Sequence, residues 1–206
     1  YAYGQVSKNG APVVFSVPSG NFGNLTGGLL ARAMGLPVNQ FIASTNVNDV
    51  VPHYLHTQIF SPRPSQATIS NAMDVGNPSN FTRMVDLYGG DFKKLSKDIT
   101  GYSFTDRETA DAIRTIYTGR GYMMDPHGAV GYLGLKKYLQ ERGKGETGVF
   151  LETAHPGKFQ ETVEKILGKS FELPEKLQKF LTQQKQTVKI SSSVKEVKDY
   201  LLARLR

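Results

Sequence analysis

Two groups of side chains in this 206-residue chain could do chemistry. The first is Ser19-Gly20-Asn21-Phe22-Gly23-Asn24. It lies between a run of apolar or β-branched residues with one Ser among them, Val13 to Val17, and a helical pattern of Leu25, Leu29, Leu30 and Ala33 that ends at Gly35. The run suits a strand buried on both faces, and the glycine suits a left-handed cap. A turn from strand to helix can aim several backbone N–H groups at one point. The helix start adds a partial charge of about +0.5 e, and together these make a seat for a phosphate. Gly20 and Gly23 would let the backbone approach the anion and take positive φ, and Ser19, Asn21 and Asn24 could add side-chain hydrogen bonds. The same six residues also read as an ordinary turn that caps its helix. They match neither the Gly-x-Gly-x-x-Gly of dinucleotide folds nor the Gly-Lys-Ser/Thr ending of the P-loop. The second group follows a short strand, Val149 to Leu151. There Thr153, His155 and Lys158 stand at a strand end, where α/β sheets gather their ligands.

Other chemistries are excluded or unsupported. The chain has no cysteine, which removes disulfides, thiolate metal sites and cysteine nucleophiles and is compatible with a reducing cytoplasm. His53 and His56 share a helix face, but no acidic cluster completes a ligand set with them, so no metal is expected. His127 reads as a packing or capping residue. No Gly-x-Ser-x-Gly elbow is present to support a serine hydrolase. No apolar run approaches the ~20 residues of a membrane span, and no signal peptide is expected from the residues given. The net charge is +7, of which +4 falls from Ser170 onward, where eight Lys or Arg face four Asp or Glu. Elsewhere basic and acidic residues interleave without an aromatic and basic stripe, which argues for a solvated face and against nucleic acid.

The elements that must hold the two groups alternate between strand and helix. Gln40 to Thr45 reads as a second strand, and Asn48 or Asp49 caps a helix through Val50, Tyr54 and Leu55. Such β-α-β-α order implies a parallel sheet with right-handed crossovers. Phe60 to Pro64 is a loop because of its prolines. Ala67 to Phe81 is dense in small polar side chains, with Asp74 its only charge, and suits either a wrap around a polar ligand or a plain loop. A helix is expected over Thr82 to Tyr88. Another runs over Ser103 to Tyr117, with a Thr105 and Glu108 capping box, an Ala110, Ile113 and Tyr117 face and Gly119 as its stop. Asp125 and Pro126 start a further helix with Val130, Leu133 and Leu139 in its apolar row. Residues 143–148 form a surface turn. After the second group comes a helix with Phe159, Val163, Ile166 and Leu167 inward. Pro174 to Leu181 and Val194 to Leu205 are expected to be helices, the latter with a Ser193 and Glu196 capping box. The opening Tyr1 to Val6 reads as the tail of a helix cut in mid-pattern, and the chain as a fragment.

Five motifs carry a family resemblance: Pro18 to Asn24, Phe41 to Asp49, Ser70 to Val75 with Asn77 to Phe81, Asp125 to Gly131, and Thr153 to Phe159. They stand in the order found in threonine synthases, and the chain from about Ala11 to Gly168 resembles the C-terminal half of that family. The resemblance implies a fold type II pyridoxal-phosphate enzyme: an α/β, three-layer architecture with a mostly parallel sheet flanked by helices, and a C-terminal helical appendage. Residues 1–168 would be the C-terminal part of the catalytic domain and 169–206 the appendage. It further implies pyridoxal 5'-phosphate as cofactor and O-phospho-L-homoserine as substrate, while the lack of cysteine and of a membrane span leads to the expectation of a cytoplasmic location. Ser19, Gly20, Asn21, Phe22, Gly23 and Asn24 would hold the phosphate group, and Thr153 would hydrogen-bond the pyridine nitrogen. Asn71, Asp74, Ser79, Asn80, His155 and Lys158 would border the substrate. The Schiff-base lysine of the family belongs to an N-terminal half that this chain lacks. The chain is therefore expected to hold no catalytic residue of its own, to be inactive alone and to need that half as partner. A phospholyase acting on another amino-alcohol phosphate and a non-catalytic phosphate-binding domain are the alternatives.

Overall fold

The computed structural model describes residues 1–7, 10–143, 145–181, 183–184 and 186–204. They form two compact units, Tyr1–Phe171 and Glu172–Arg206. In the first unit the elements run α1 (Ala2–Val6), β1 (Val13–Pro18), α2 (Gly23–Ala33), β2 (Gln40–Thr45), α3 (Val50–Thr57), α4 (Phe81–Leu87), α5 (Phe92–Asp98), β3 (Ile99–Ser103), α6 (Asp106–Arg120), α7 (Pro126–Arg142), β4 (Thr147–Phe150) and α8 (Gln160–Leu167). Short 3-10 turns cover Asn71–Met73 and Pro156–Phe159. The second unit holds α9 (Glu175–Leu181) and α10 (Val194–Arg204).

The four strands are all parallel, in the order β3-β2-β1-β4. The central pair, β1 and β2, is buried at every residue, as a strand covered on both faces must be. Side-chain alternation assigns the faces. Val13, Phe15 and Val17 of β1 pack with Phe41 and Ala43 against Leu25 and Leu29 of α2, Val51 of α3, Met84 of α4 and Leu95 of α5. Val14 and Ile42 point the other way, onto Val130, Leu135 and Tyr138 of α7. Outside α7 lies α6, joined to it through Ala112, Ile113, Met124 and Ala129. The architecture is a three-layer α/β sandwich, and the carboxyl ends of all four strands share one edge.

Several boundaries differ from those the sequence suggested. Helix α6 runs past Gly119 to Arg120 and stops at Gly121, whose φ of 66° supplies the left-handed cap. Strand β4 begins at Thr147, two residues early, because the Thr147 N–H donates to the Pro12 carbonyl at 2.8 Å and so joins the ladder to β1. Leu30 and Leu139 lie on the solvent side of their helices. Glu196 accepts from the Ser191 N–H at 2.9 Å, and Lys144 of the expected surface turn and Leu205 lie outside the described residues. Helix α5 and strand β3 were not anticipated. Gly101 interrupts the β-branched character of β3, and the fold uses its bareness: a Cβ there would lie 2.7 Å from Pro52 Cα, where α3 crosses the strand.

Candidate cofactor site

The turn after β1 is built from its own side chains. The Ser19 hydroxyl donates to the Val17 carbonyl at 3.1 Å, and Asn24 Nδ2 donates to the Pro18 carbonyl at 2.9 Å. Asn21 Oδ1 accepts from the Ser79 N–H at 2.6 Å, and Asn80 Nδ2 donates to the Asn21 carbonyl at 2.8 Å. These bonds consume the polar side chains that the sequence offered to an anion. They leave the backbone N–H groups of Gly20, Asn21, Phe22, Gly23 and Asn24 without an acceptor among the described residues. Five uncommitted amides at the start of an eleven-residue helix are donors in search of an anion.

Positive φ falls on Phe22 (61°) and on neither glycine of the turn, so that expectation is corrected. A non-glycine residue in this conformation costs about 1–2 kcal/mol. Phe22 offsets it by placing its ring in the core at 2% exposure. Gly20 serves another purpose. A Cβ on it would stand 2.7 Å from Met73 Cα and 3.0 Å from the Ala72 carbonyl oxygen, so the Asn71–Met73 turn rests directly on the loop.

The polar stretch between α3 and α4 is fastened by Asp74. Its Oδ1 accepts from Asn46 Nδ2 (2.8 Å), Thr68 Oγ1 (2.7 Å) and Asn48 Nδ2 (3.2 Å), and its Oδ2 accepts from the Thr68 N–H (3.0 Å). Asn46 and Asn48 are buried at the end of β2, so this network ties residues 66–74 to the carboxyl edge of the sheet. Asn71 and Ser79 are exposed and Asn80 is half-buried.

On the neighbouring strand the Leu151 N–H donates to the Ser16 carbonyl at 3.0 Å, which carries the ladder one residue past β4. Thr153 then emerges exposed, its hydroxyl unengaged among the described residues. Since β1 and β4 are adjacent and parallel, Thr153 and the amide turn leave the same edge from neighbouring strands. His155 and Lys158 are exposed on the following 3-10 turn, where His155 Nδ1 accepts from the Gly157 N–H at 3.0 Å. His53 and His56 are also exposed, and no group of three metal-ligating side chains occurs among the described residues. No helix among them is long and apolar enough to cross a membrane.

One cluster escaped the sequence reading. Asp125, fully buried at the start of α7, accepts on Oδ1 from both the His127 backbone N–H (2.8 Å) and ring Nδ1 (2.7 Å). Glu152 lies over the Cα of Gly128, and its two carboxyl oxygens are buried with no donor among the described residues, as is Asp125 Oδ2. Burial, then the Asp125 carboxyl, pushes Glu152 up to about 9. Burial alone would raise Asp125 as well, but the His127 donors hold it below the usual carboxylate range. Glu152 is accordingly a neutral acid beside an ionised one. A folded-state value above the unfolded one means that the native protein keeps a proton the unfolded chain releases. Stability from this group is therefore full below about pH 4.3 and declines as pH rises toward 9. Glu152→Gln, which cannot titrate, is expected to flatten that decline. Melting temperatures of both proteins between pH 5 and 9 check it, and a wild type that gains stability over the variant with rising pH would refute the assignment.

A family profile described as "Pyridoxal-phosphate dependent enzyme" matches residues 4–153. The chain belongs to that family. A second profile, "Threonine synthase, C-terminal", matches residues 128–201. The threonine synthase of Haemophilus influenzae is 49% identical over 170 residues, covering 81% of this chain and 38% of that protein. The crystal structure of threonine synthase from Escherichia coli superposes with a TM-score of 0.81 at 40% identity, over 94% of this chain and 44% of that one. A pyridoxal-phosphate-bound threonine synthase from Brucella melitensis gives 0.84 at 28% identity, over 100% of this chain and 49% of that one. The chain thus spans under two fifths of the length of the curated relative quoted and is a partial threonine synthase homologue within the fold type II enzymes.

Proposed function

We propose that this chain is the C-terminal portion of a threonine synthase, which converts O-phospho-L-homoserine and water into L-threonine and phosphate, and that it contributes one side of the cofactor site. The observation that carries this reading is the set of five uncommitted amides from Gly20 to Asn24, on the strand edge that Thr153 shares. Their number and position fit a phosphate monoester, so the donors present suit the phosphate end of pyridoxal phosphate. When bound, pyridoxal phosphate supplies an electron sink for charge developing on the substrate's carbon skeleton. The chain's own groups bind and orient. The amides hold the phosphate, and the Thr153 hydroxyl meets the ring nitrogen. A hydroxyl is a neutral partner, and unlike a carboxylate it does not enforce protonation of that nitrogen. Asn71, Asp74, Ser79 and Asn80 lie on the stretch that packs against the amide turn and form the substrate side, with His155 and Lys158 beyond Thr153. The group that links cofactor to protein comes from the remainder of the polypeptide, so the isolated chain is inactive.

Phosphate release from O-phospho-L-homoserine by the full-length protein tests the reading. Thr153→Val keeps shape and β-branching and removes one hydrogen bond. Cofactor affinity and turnover are expected to fall about tenfold, in line with ~0.5–1.5 kcal/mol for the bond and a comparable cost for its stranded partner. Melting of the cofactor-free protein should not change, and Thr153→Ser should retain most activity. A wild type that releases no phosphate from this substrate overturns the assignment, and an unaltered Thr153→Val overturns the role of Thr153.

A further inference from the structure

His127 has no ring nitrogen left for a substrate. Nδ1 faces Asp125 Oδ1 at 2.7 Å, Nε2 faces the Ala72 N–H at 3.2 Å, and one ring face lies against Phe159 with centroids 4.6 Å apart. At 4% exposure it is closed off from water. A backbone N–H can only donate, so Nε2 must accept, and the proton of the neutral ring is therefore on Nδ1, where a carboxylate receives it. Both partners demand the same tautomer. The imidazole thus joins three parts of the chain far apart in sequence: the start of α7, the turn after Thr153, and the Asn71–Met73 turn that rests on Gly20.

We propose that His127 is a positioning residue for the phosphate seat: fixed with its proton on Nδ1 by Asp125, it holds the Ala72 N–H on Nε2 and so presses the Asn71–Met73 turn onto Gly20. The inference rests on reading Gly20 to Asn24 as that seat. Pressure on Gly20 matters because the Ala72 and Met73 backbone is the surface this residue meets, while the rest of the turn is held by Phe22 in the core and by Ser79 and Asn80. The turn's polar side chains brace the loop internally or toward Ser79, whereas the Ala72 and Met73 backbone forms the wall that Gly20 meets. Met73 is itself anchored at 3% exposure in the core under α7. Release of the Ala72 N–H would let that wall retreat, and the amides of Gly20 and Asn21 would lose their common aim. Beside Asp125, Glu152 has no donor among the described residues, and Asp125 Oδ1 is committed to His127.

The test uses the full-length protein and three probes: inorganic phosphate, pyridoxal phosphate, and pyridoxal, which lacks the phosphate. His127→Leu removes both ring hydrogen bonds, whereas His127→Gln restores an acceptor at the reach of Nε2. His127→Leu is expected to weaken phosphate and pyridoxal phosphate about tenfold, the loss that follows from one buried hydrogen bond, and to leave pyridoxal unchanged. His127→Gln is expected to recover most of the loss, and the wild-type nitrogen-15 spectrum to show His127 protonated on Nδ1 and bare on Nε2. Equal phosphate binding by wild type and His127→Leu, or a proton on Nε2, would overturn the inference. If His127→Leu does not fold, the wild-type spectrum and the binding of His127→Gln decide. A wild type that binds neither phosphate nor pyridoxal phosphate would instead sink the seat itself.

Discussion

Replacing Gly134 by valine is expected to remove the folded state of the first unit under conditions where the wild type is fully folded. Helix α7 lies on the sheet at a distance set by this residue. A Cβ there would fall inside van der Waals contact of Ser44 Oγ and at 2.9 Å from Ser44 Cβ, with Ser16 Oγ at 3.1 Å. Both serines are fully buried and bonded, Ser16 to Ser44 at 2.8 Å and Ser16 to the Gly131 carbonyl at 2.6 Å. The helix must therefore lift and break these bonds. Overpacking of this kind costs about 1–3 kcal/mol, and each buried polar group left without a partner adds about 1–3 kcal/mol, so the sum approaches the whole stability of a typical domain. Gly27→Ala is the matched control, since it meets nothing within 4 Å in mid-α2. It should be neutral or stabilising by up to about 1 kcal/mol, because alanine favours the helix. Urea unfolding of the three proteins checks both, and a Gly134→Val midpoint within error of wild type would mean that α7 does not lie as described.

What the sequence disclosed and what it hid follow from how far each residue's determinants lie along the chain. β1, β2 and the start of α7 were legible because their signals are local: Val13 to Val17 is apolar apart from Ser16, and Asp125-Pro126 is a cap followed by a first-turn proline. Strand β3 was not, because Gly101 is chosen by the approach of Pro52, about fifty positions away, and not by any propensity of its own. The candidate site divides the same way. The amide turn showed itself through its glycines and its place between strand and helix. The Asp125, His127 and Glu152 cluster did not, since Asp125 and His127 read singly as a helix start and a packing or capping residue, and Glu152 carried no reading of its own. A signal was present in Glu152, a carboxylate directly after the run Val149 to Leu151, where an acidic residue needs a reason. The side chains of Ser19, Asn21 and Asn24 invited a role toward an anion, but Ser19 and Asn24 bind nearby backbone, as polar side chains in a tight turn do, and Asn21 is taken by Ser79 from the next polar stretch.

Asp74 separates the two roles a polar residue can have near a ligand, and Asp74→Ala is expected to destabilise the cofactor-free protein strongly. The carboxylate is the shared acceptor of Asn46 Nδ2, Asn48 Nδ2, the Thr68 hydroxyl and the Thr68 N–H, at 2.7–3.2 Å. Alanine strands several of these donors at once. Asn46 is 1% and Asn48 6% exposed, so water cannot replace the lost acceptor without opening the loop. Buried donors without partners cost about 1–3 kcal/mol each, although Asn46 keeps Ser70 and Thr68 oxygens within 3.1 Å as partial substitutes. A loss of about 2–4 kcal/mol is the expected result, equal with or without substrate. Asp74→Asn should lose less, since its amide oxygen still accepts two donors while its Nδ2 meets a neighbouring N–H. Because residues 66–74 rest on Gly20 through Met73, cofactor affinity should fall together with stability in both variants, in the same order. The discriminating measurement is thermal unfolding without cofactor. If Asp74→Ala melts with the wild type there and loses only turnover, the carboxylate acts on the substrate and the network around it is dispensable. If it melts early, Asp74 acts as the fastening that shapes the substrate side of the site.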